Sequence, residues 1–195
     1  MDGNGTVEDG TVEDGTVEDG TAEDRTAEDR TAEDRTAEDG PARFEADARE
    51  RGLDVEIVDR PEAGSLAEAA ELLGIEPGSI VKSLVVKRHD GGFLFALVPG
   101  GRQISWPLLR AVVGVNKLRL PDESVALEAT GYRRGTITPI GSTTAWPVVA
   151  DERIVGRRIA MGAGTSGRSA FVEADALIAA YGATVADITI EEPAR

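Results

Sequence analysis

Cysteine is absent from the 195 residues, which excludes disulfides, thiolate metal centres and a cysteine nucleophile together. The one histidine, His89, excludes multi-histidine metal sites. It falls beside two glycines in an expected turn, so no Ser-His-Asp constellation assembles around it. Aromatic residues make up 4% of the chain, which argues against the base-stacking platform of a single-strand binder. Long hydrophobic runs are missing too, so neither a membrane span nor a secretory h-region is expected. The expectation is a soluble, cytoplasmic protein with little conventional catalytic equipment, for which neither a metal nor a cofactor is invoked.

What is present is unevenly distributed. Of the formal charge of −15, residues 1–40 contribute −12, from 15 acidic side chains and 3 arginines. From Thr6 to Gly40 a pentapeptide runs seven times, first as Thr-Val-Glu-Asp-Gly, then as Thr-Ala-Glu-Asp-Arg, and last as Thr-Ala-Glu-Asp-Gly. Five is neither the helical nor the strand period. Each unit offers at most one small apolar side chain, too little to offset chain entropy. Residues 1–40 are therefore expected to form a disordered acidic tail, and residues 41–195 the folded domain. Within that domain residues 77–168 carry 13 basic and 6 acidic groups, compatible with a phosphate-bearing ligand.

The domain reads as alternating short helices and strands. Helices are expected at Phe44–Arg51, Leu66–Leu73, Trp106–Val113, Asp122–Ala129 and Glu173–Tyr181, several of them closed by glycine. Strands are expected at Val55–Val58, Pro147–Ala150, Arg157–Met161 and Ser169–Val172. Ile80–Lys87 and Phe93–Val98 flank Arg88-His89-Asp90-Gly91-Gly92 as a hairpin. Without regular βαβ spacing, this order favours an α+β fold with a mixed sheet over a doubly wound one.

Three segments carry candidate chemistry. Lys82 shares a strand face with Ile80, Leu84 and Val86, while Val81, Ser83 and Val85 occupy the other, so both faces read as buried. A lysine there is costly unless it meets an anionic or polar partner, though a strand-edge lysine that snorkels to water fits the same pattern. Gly131 to Gly141 contains three glycines, a proline and two threonines, the composition of a stiff loop that another group can approach closely. Gly162-Ala163-Gly164-Thr165-Ser166-Gly167 spells G-x-G-x-x-G, but a strand rather than a helix follows, which disfavours a dinucleotide-dependent oxidoreductase. A glycine turn lining a pocket with backbone N–H groups fits better.

In order and spacing, Ile80-Val81-Lys82-Ser83-Leu84, Thr130 to Gly141 and Gly162 to Gly167 resemble the YbaK-like family of aminoacyl-tRNA deacylases, related to the editing insertion domain of bacterial prolyl-tRNA synthetase. The resemblance runs from about Phe44 to Asp187-Ile188. It implies a mixed, partly closed β-sheet flanked by helices, and a pocket for the aminoacylated 3′ end of a mischarged tRNA, with no DNA or membrane partner. The family's signature lysine falls on Lys82 and the glycine of its Gly-x-x-x-Pro-x-Gly loop on Gly135, which it implies are catalytic. Thr136, Thr138, Gly162, Ala163, Gly164, Ser169 and Arg60 are implied to contact substrate. Ser169 stands where some members have aspartate, and Arg60 where some have an aromatic. The expected reaction is hydrolysis of the aminoacyl ester, with backbone N–H groups at Gly135–Thr136 or Gly162–Gly164 stabilising the oxyanion. The alternative is a non-catalytic binder of tRNA 3′ ends or nucleotide-like ligands.

Overall fold

The computed structural model describes residues 36–193; the repeat segment before Thr36, and with it most of the expected tail, lies outside the described residues. Helix α1 runs Gly40–Glu50, with Pro41 in its first turn where no N–H is needed. It starts four residues before the expected Phe44, and it buries Phe44 and Ala48 one turn apart on one face. Strand β1 (Val55–Asp59) and helix α2 (Leu66–Leu73) follow. Ser65 caps α2 by accepting from Glu68 N, and Gly74 closes it in the left-handed region.

The central sheet is built on the expected hairpin, β2 (Val81–Arg88) with β3 (Phe93–Pro99). His89 lies exposed in its turn. Chain order then brings β4 (Arg102–Ile104), α3 (Trp106–Val113), β5 (Leu118–Arg119), α4 (Glu123–Thr130), β6 (Val148–Asp151), β7 (Arg158–Gly162), β8 (Arg168–Glu173), α5 (Ala174–Tyr181), β9 (Thr184–Ala186) and β10 (Thr189–Glu191). The five-stranded sheet has the order β5-β2-β3-β6-β9, with β3, β6 and β9 parallel and the β2 pairings antiparallel. A second, antiparallel sheet has the order β1-β8-β7, and β10 pairs with β4. One parallel bridge, Ile80 to Ala160, joins the first two sheets. The fold is α+β with a mixed sheet, as expected, and its sheets remain open rather than closing.

Both faces of the β2–β3 hairpin are buried, in two separate cores. Val81, Val85, Phe95 and Leu97 face Ile159, Met161, Ala170 and Leu177. Val86, Leu94, Ala96 and Val98 face Leu109, Ile104 and Ile188. The strands the sequence reading missed are two or three residues long, and each is held by a partner distant in sequence.

The G-x-G-x-x-G run is the turn of the β7–β8 hairpin, where Gly162 pairs with Ser169. No helix follows it, and the dinucleotide reading falls.

The last repeat belongs to the folded part. Gly40 is buried, and a Cβ there would lie 2.3 Å from the carbonyl oxygen of Gly164. Arginine occupies this repeat position at Arg25, Arg30 and Arg35, but nothing larger than glycine fits at Gly40. Gly40→Arg is expected to destabilise the domain by about 1–3 kcal/mol through overpacking, read as a lower melting temperature. Deletion of residues 1–35 is expected to leave the melt unchanged.

Candidate functional site

The cavity lies along one edge of β2. On that side β5 pairs only with Lys87 and Arg88, so the stretch from Val81 to Val86 has no strand neighbour there. The edge leaves backbone polar groups available to water or a ligand. The cavity has a volume of about 440 Å³, within the usual range for small-molecule sites. Ala69 and Leu73 of α2, Glu123 and Ala126 of α4, and Ala160, Met161 and Gly162 of β7 form its walls, with Arg134, Gly135 and Ile137 from the glycine loop. Arg60, Lys82, Ser83 and Ser169 also line it.

Five of the nine expected site residues therefore meet at one cavity: Lys82, Gly135, Gly162, Ser169 and Arg60. The other four do not line it. Thr136 is buried, and both its Oγ1 and its backbone N donate to the carbonyl of Arg133, at 2.8 and 3.0 Å. Its N–H is thus unavailable for an oxyanion. Thr138 is fully buried, and its Oγ1 accepts from Ile140 N. Ala163 is in the core, and Gly164 packs against Gly40 and Tyr132. All four shape the loops rather than face the cavity, because in a tight turn the hydroxyls and small residues go to closing the turn itself.

Gly135 is exposed at φ +89°, and a Cβ built on it meets nothing within 4 Å. The space before its α-carbon is open, and the residue lines the cavity. Its N–H donates to no group among the described residues. Gly162 instead packs on the loop, since a Cβ there would lie 3.2 Å from Thr136 O.

Lys82 does lie on the Leu84–Val86 face, but it is neither fully buried nor unpartnered. Its Nζ donates to the carbonyl of Arg102 at 2.5 Å and to the Glu192 carboxylate, and its side chain is 26% exposed. The β4–β10 pair places these acceptors at the end of β2. Arg102 is fixed in turn by Nε donating to Thr189 Oγ1 at 2.7 Å, and that hydroxyl donates to the fully buried Asp151 at 2.8 Å. The lysine found its partners in strands too short to be read from the sequence.

Arg60 and Ser169, the two departures from the family pattern, are joined to each other. Arg60 Nε donates to Ser169 Oγ at 3.0 Å, and its Nη1 to Pro61 O at 2.9 Å. β1–β8 pairing aligns Asp59 with Arg168 and brings the two side chains together.

Ser83 is a site residue that the sequence reading passed over. Its Oγ is buried on the cavity wall with no hydrogen-bond partner among the described residues, and such groups are rare because each is costly. The signal was a hydroxyl between Val81 and Val85 on an otherwise apolar strand face.

Helix α1 clamps the glycine loop at both ends. Arg43 donates from Nη2 to Gly131 O at 2.8 Å and from Nε to Gly141 O at 3.1 Å, and its guanidinium stacks 4.9 Å from the Tyr132 ring centroid. One turn on, Asp47 accepts from Gly141 N at 2.8 Å and from the Tyr181 hydroxyl. Burial raises the Asp47 carboxyl, but the hydrogen bonds from Tyr181, Gly141 and Arg51 outweigh it and hold the group below the ordinary range. A carboxyl whose folded value is lowered stabilises above its unfolded pKa, and that contribution disappears as pH falls through the folded value. Asp47→Asn is therefore expected to melt lower than wild type at pH 7, with the gap closing below about pH 4. Melts of both proteins across that range check it.

Among the described residues, no group of three or more His, Cys, Asp or Glu side chains is placed to hold a metal, and no helix is long and apolar enough to cross a membrane.

The chain is 30% identical over 129 residues to EbsC of Enterococcus faecalis, a protein that carries the name of a Cys-tRNA(Pro)/Cys-tRNA(Cys) deacylase, covering 66% of this chain and 79% of that one. It is 35% identical over 111 residues to the proline–tRNA ligase of Thermosipho melanesiensis, covering 57% of this chain but 19% of the ligase. The chain thus spans about a fifth of the length of such ligases. A crystal structure described as a trans-editing enzyme for prolyl tRNA synthetase superposes with a TM-score of 0.71 at 29% identity, over 79% of this chain and 98% of that one. Residues 60–180 match the family model of the aminoacyl-tRNA editing domain, a stretch that contains every cavity residue named above, and the chain belongs to that family, whose chemistry is hydrolysis of the aminoacyl ester of tRNA.

Proposed function

We propose that this protein is a deacylase that clears mischarged tRNA in trans, taking the aminoacylated 3′ end into the cavity along β2. The observation that carries the reading is the convergence of Lys82, the open Gly135 and the unpartnered Ser83 Oγ on one cavity. An aminoacyl ester is already activated. Its hydrolysis needs a positioned water and a donor for the tetrahedral oxyanion. Gly135 lines that cavity, and its N–H, engaged by no described residue, is the donor in this reading. Lys82 has three N–H bonds, two of them engaged by Arg102 and Glu192, and the third is offered to the acyl end or terminal ribose. Water adds to the ester carbon, the bond to the ribose oxygen breaks, and that oxygen takes the proton, relayed by the vicinal ribose hydroxyl. Ser83 Oγ gains a partner when the substrate fills the cavity. The Arg60–Ser169 pair adds a joined polar patch to the wall and bears on which amino acid is accepted.

Incubating the full chain with a panel of mischarged tRNAs tests this. Release of one or more amino acids faster than in buffer is the expected result. Binding that protects the ester without release establishes the non-catalytic reading, and neither binding nor release overturns both.

A further inference from the structure

Three cations line the cavity: Arg60, Lys82 and Arg134. The structure separates them by what each already holds. Lys82 is engaged by a backbone carbonyl and the Glu192 carboxylate, which offsets much of its charge toward an incoming anion. Arg60 is engaged by Ser169 Oγ and Pro61 O. Arg134 is exposed, sits immediately before Gly135, and makes no hydrogen bond or ion pair with any described residue. The backbone beneath it is rigid, because Thr136 closes the turn onto Arg133 O through both N and Oγ1, while Arg43 and Asp47 hold the loop ends.

We propose that Arg134 is the phosphate anchor of the site, pairing with the phosphate of the tRNA's terminal nucleotide while the neighbouring Gly135 N–H meets the acyl group that nucleotide carries. The inference rests on the deacylase reading and assigns the anionic part of that substrate to a residue other than Lys82. A guanidinium matches phosphate geometry through two parallel N–H bonds, and an unpartnered one gives up no existing contact on binding. Placing phosphate and acyl recognition on adjacent residues of one clamped turn sets the register of the ester against its oxyanion donor.

The test is steady-state deacylation by the full chain, wild type against Arg134→Ala and Arg134→Lys, over a series of salt concentrations, with binding of uncharged tRNA measured beside it. Arg134→Ala is expected to melt like wild type, to raise KM about tenfold with kcat within about twofold, and to flatten log kcat/KM against log salt by about 0.7, one single-strand phosphate contact. Arg134→Lys should regain the slope but only part of the KM. Unchanged KM, slope and tRNA affinity in Arg134→Ala would overturn the assignment. Should wild type bind uncharged tRNA without hydrolysing any charged one, the deacylase reading fails while the binding comparison still decides Arg134. A wild-type chain that binds no tRNA overturns both.

Discussion

Gly135→Val is expected to lower kcat/KM for the mischarged substrate about a hundredfold, equivalent to about 2.7 kcal/mol of transition-state stabilisation. Two effects combine. At φ +89° a branched residue is strongly disfavoured, so the backbone shifts and the N–H proposed as the oxyanion donor moves off target. The side chain also projects into space that is open in the native protein, beside the cavity proposed to take the acyl group. Because that space is open, no packing clash accompanies the change, and the loss of melting temperature reflects backbone strain alone. Gly135→Ala separates the two effects, since it strains the same φ but fills less of the cavity, and it should retain more activity. A valine variant as active as wild type on every charged tRNA would remove this loop from the site.

Lys82→Ala is expected to lower deacylation at least about tenfold, roughly 1.4 kcal/mol, with a stability change below about 1 kcal/mol. The small stability effect follows from the geometry. The Lys82–Glu192 pair has side chains 26% and 48% exposed, and such pairs contribute little. From sequence alone, a buried unpaired lysine would gain stability on removal; its partners in β4 and after β10 cancel that gain. Lys82→Arg is not expected to rescue activity, because a planar fork cannot direct one N–H to the Arg102 carbonyl and another to Glu192 while sparing a third in the same place. Hydrolysis and melts on the two variants side by side give the answer. An Ala variant of full activity would leave Lys82 a structural ion-pair partner only.

Much of the fold was legible because its elements announce themselves locally. The β2–β3 hairpin carries two largely apolar runs around an Asp-Gly-Gly turn, and α2 carries its own serine cap and glycine stop. Helix α1 was only half legible. Its core face, Phe44 and Ala48, shows in the periodicity. The polar face that grips the glycine loop reads as ordinary surface charge until Gly131 and Gly141 are seen beside it. That helix also lies outside the residues matched by the family model.

By itself, the sequence determined the class of the fold, the absence of thiol chemistry, the hairpin, and the set of segments from which the site is drawn. These rest on composition, on periodicity and on motifs, all of which are properties of neighbouring residues. Only the tertiary structure decided which members of those segments share a cavity. A short loop can present Gly135 outward and spend Thr136 and Thr138 on closing itself, and nothing in the residue types says which. Only the tertiary structure, likewise, gave Lys82 its carboxylate and Arg60 its serine, 110 and 109 residues away in the chain. Among the described residues, it left Arg134 without a partner. Which charges are satisfied and which remain for a ligand depends on distances across the fold, and those are set by packing rather than by the order of residues.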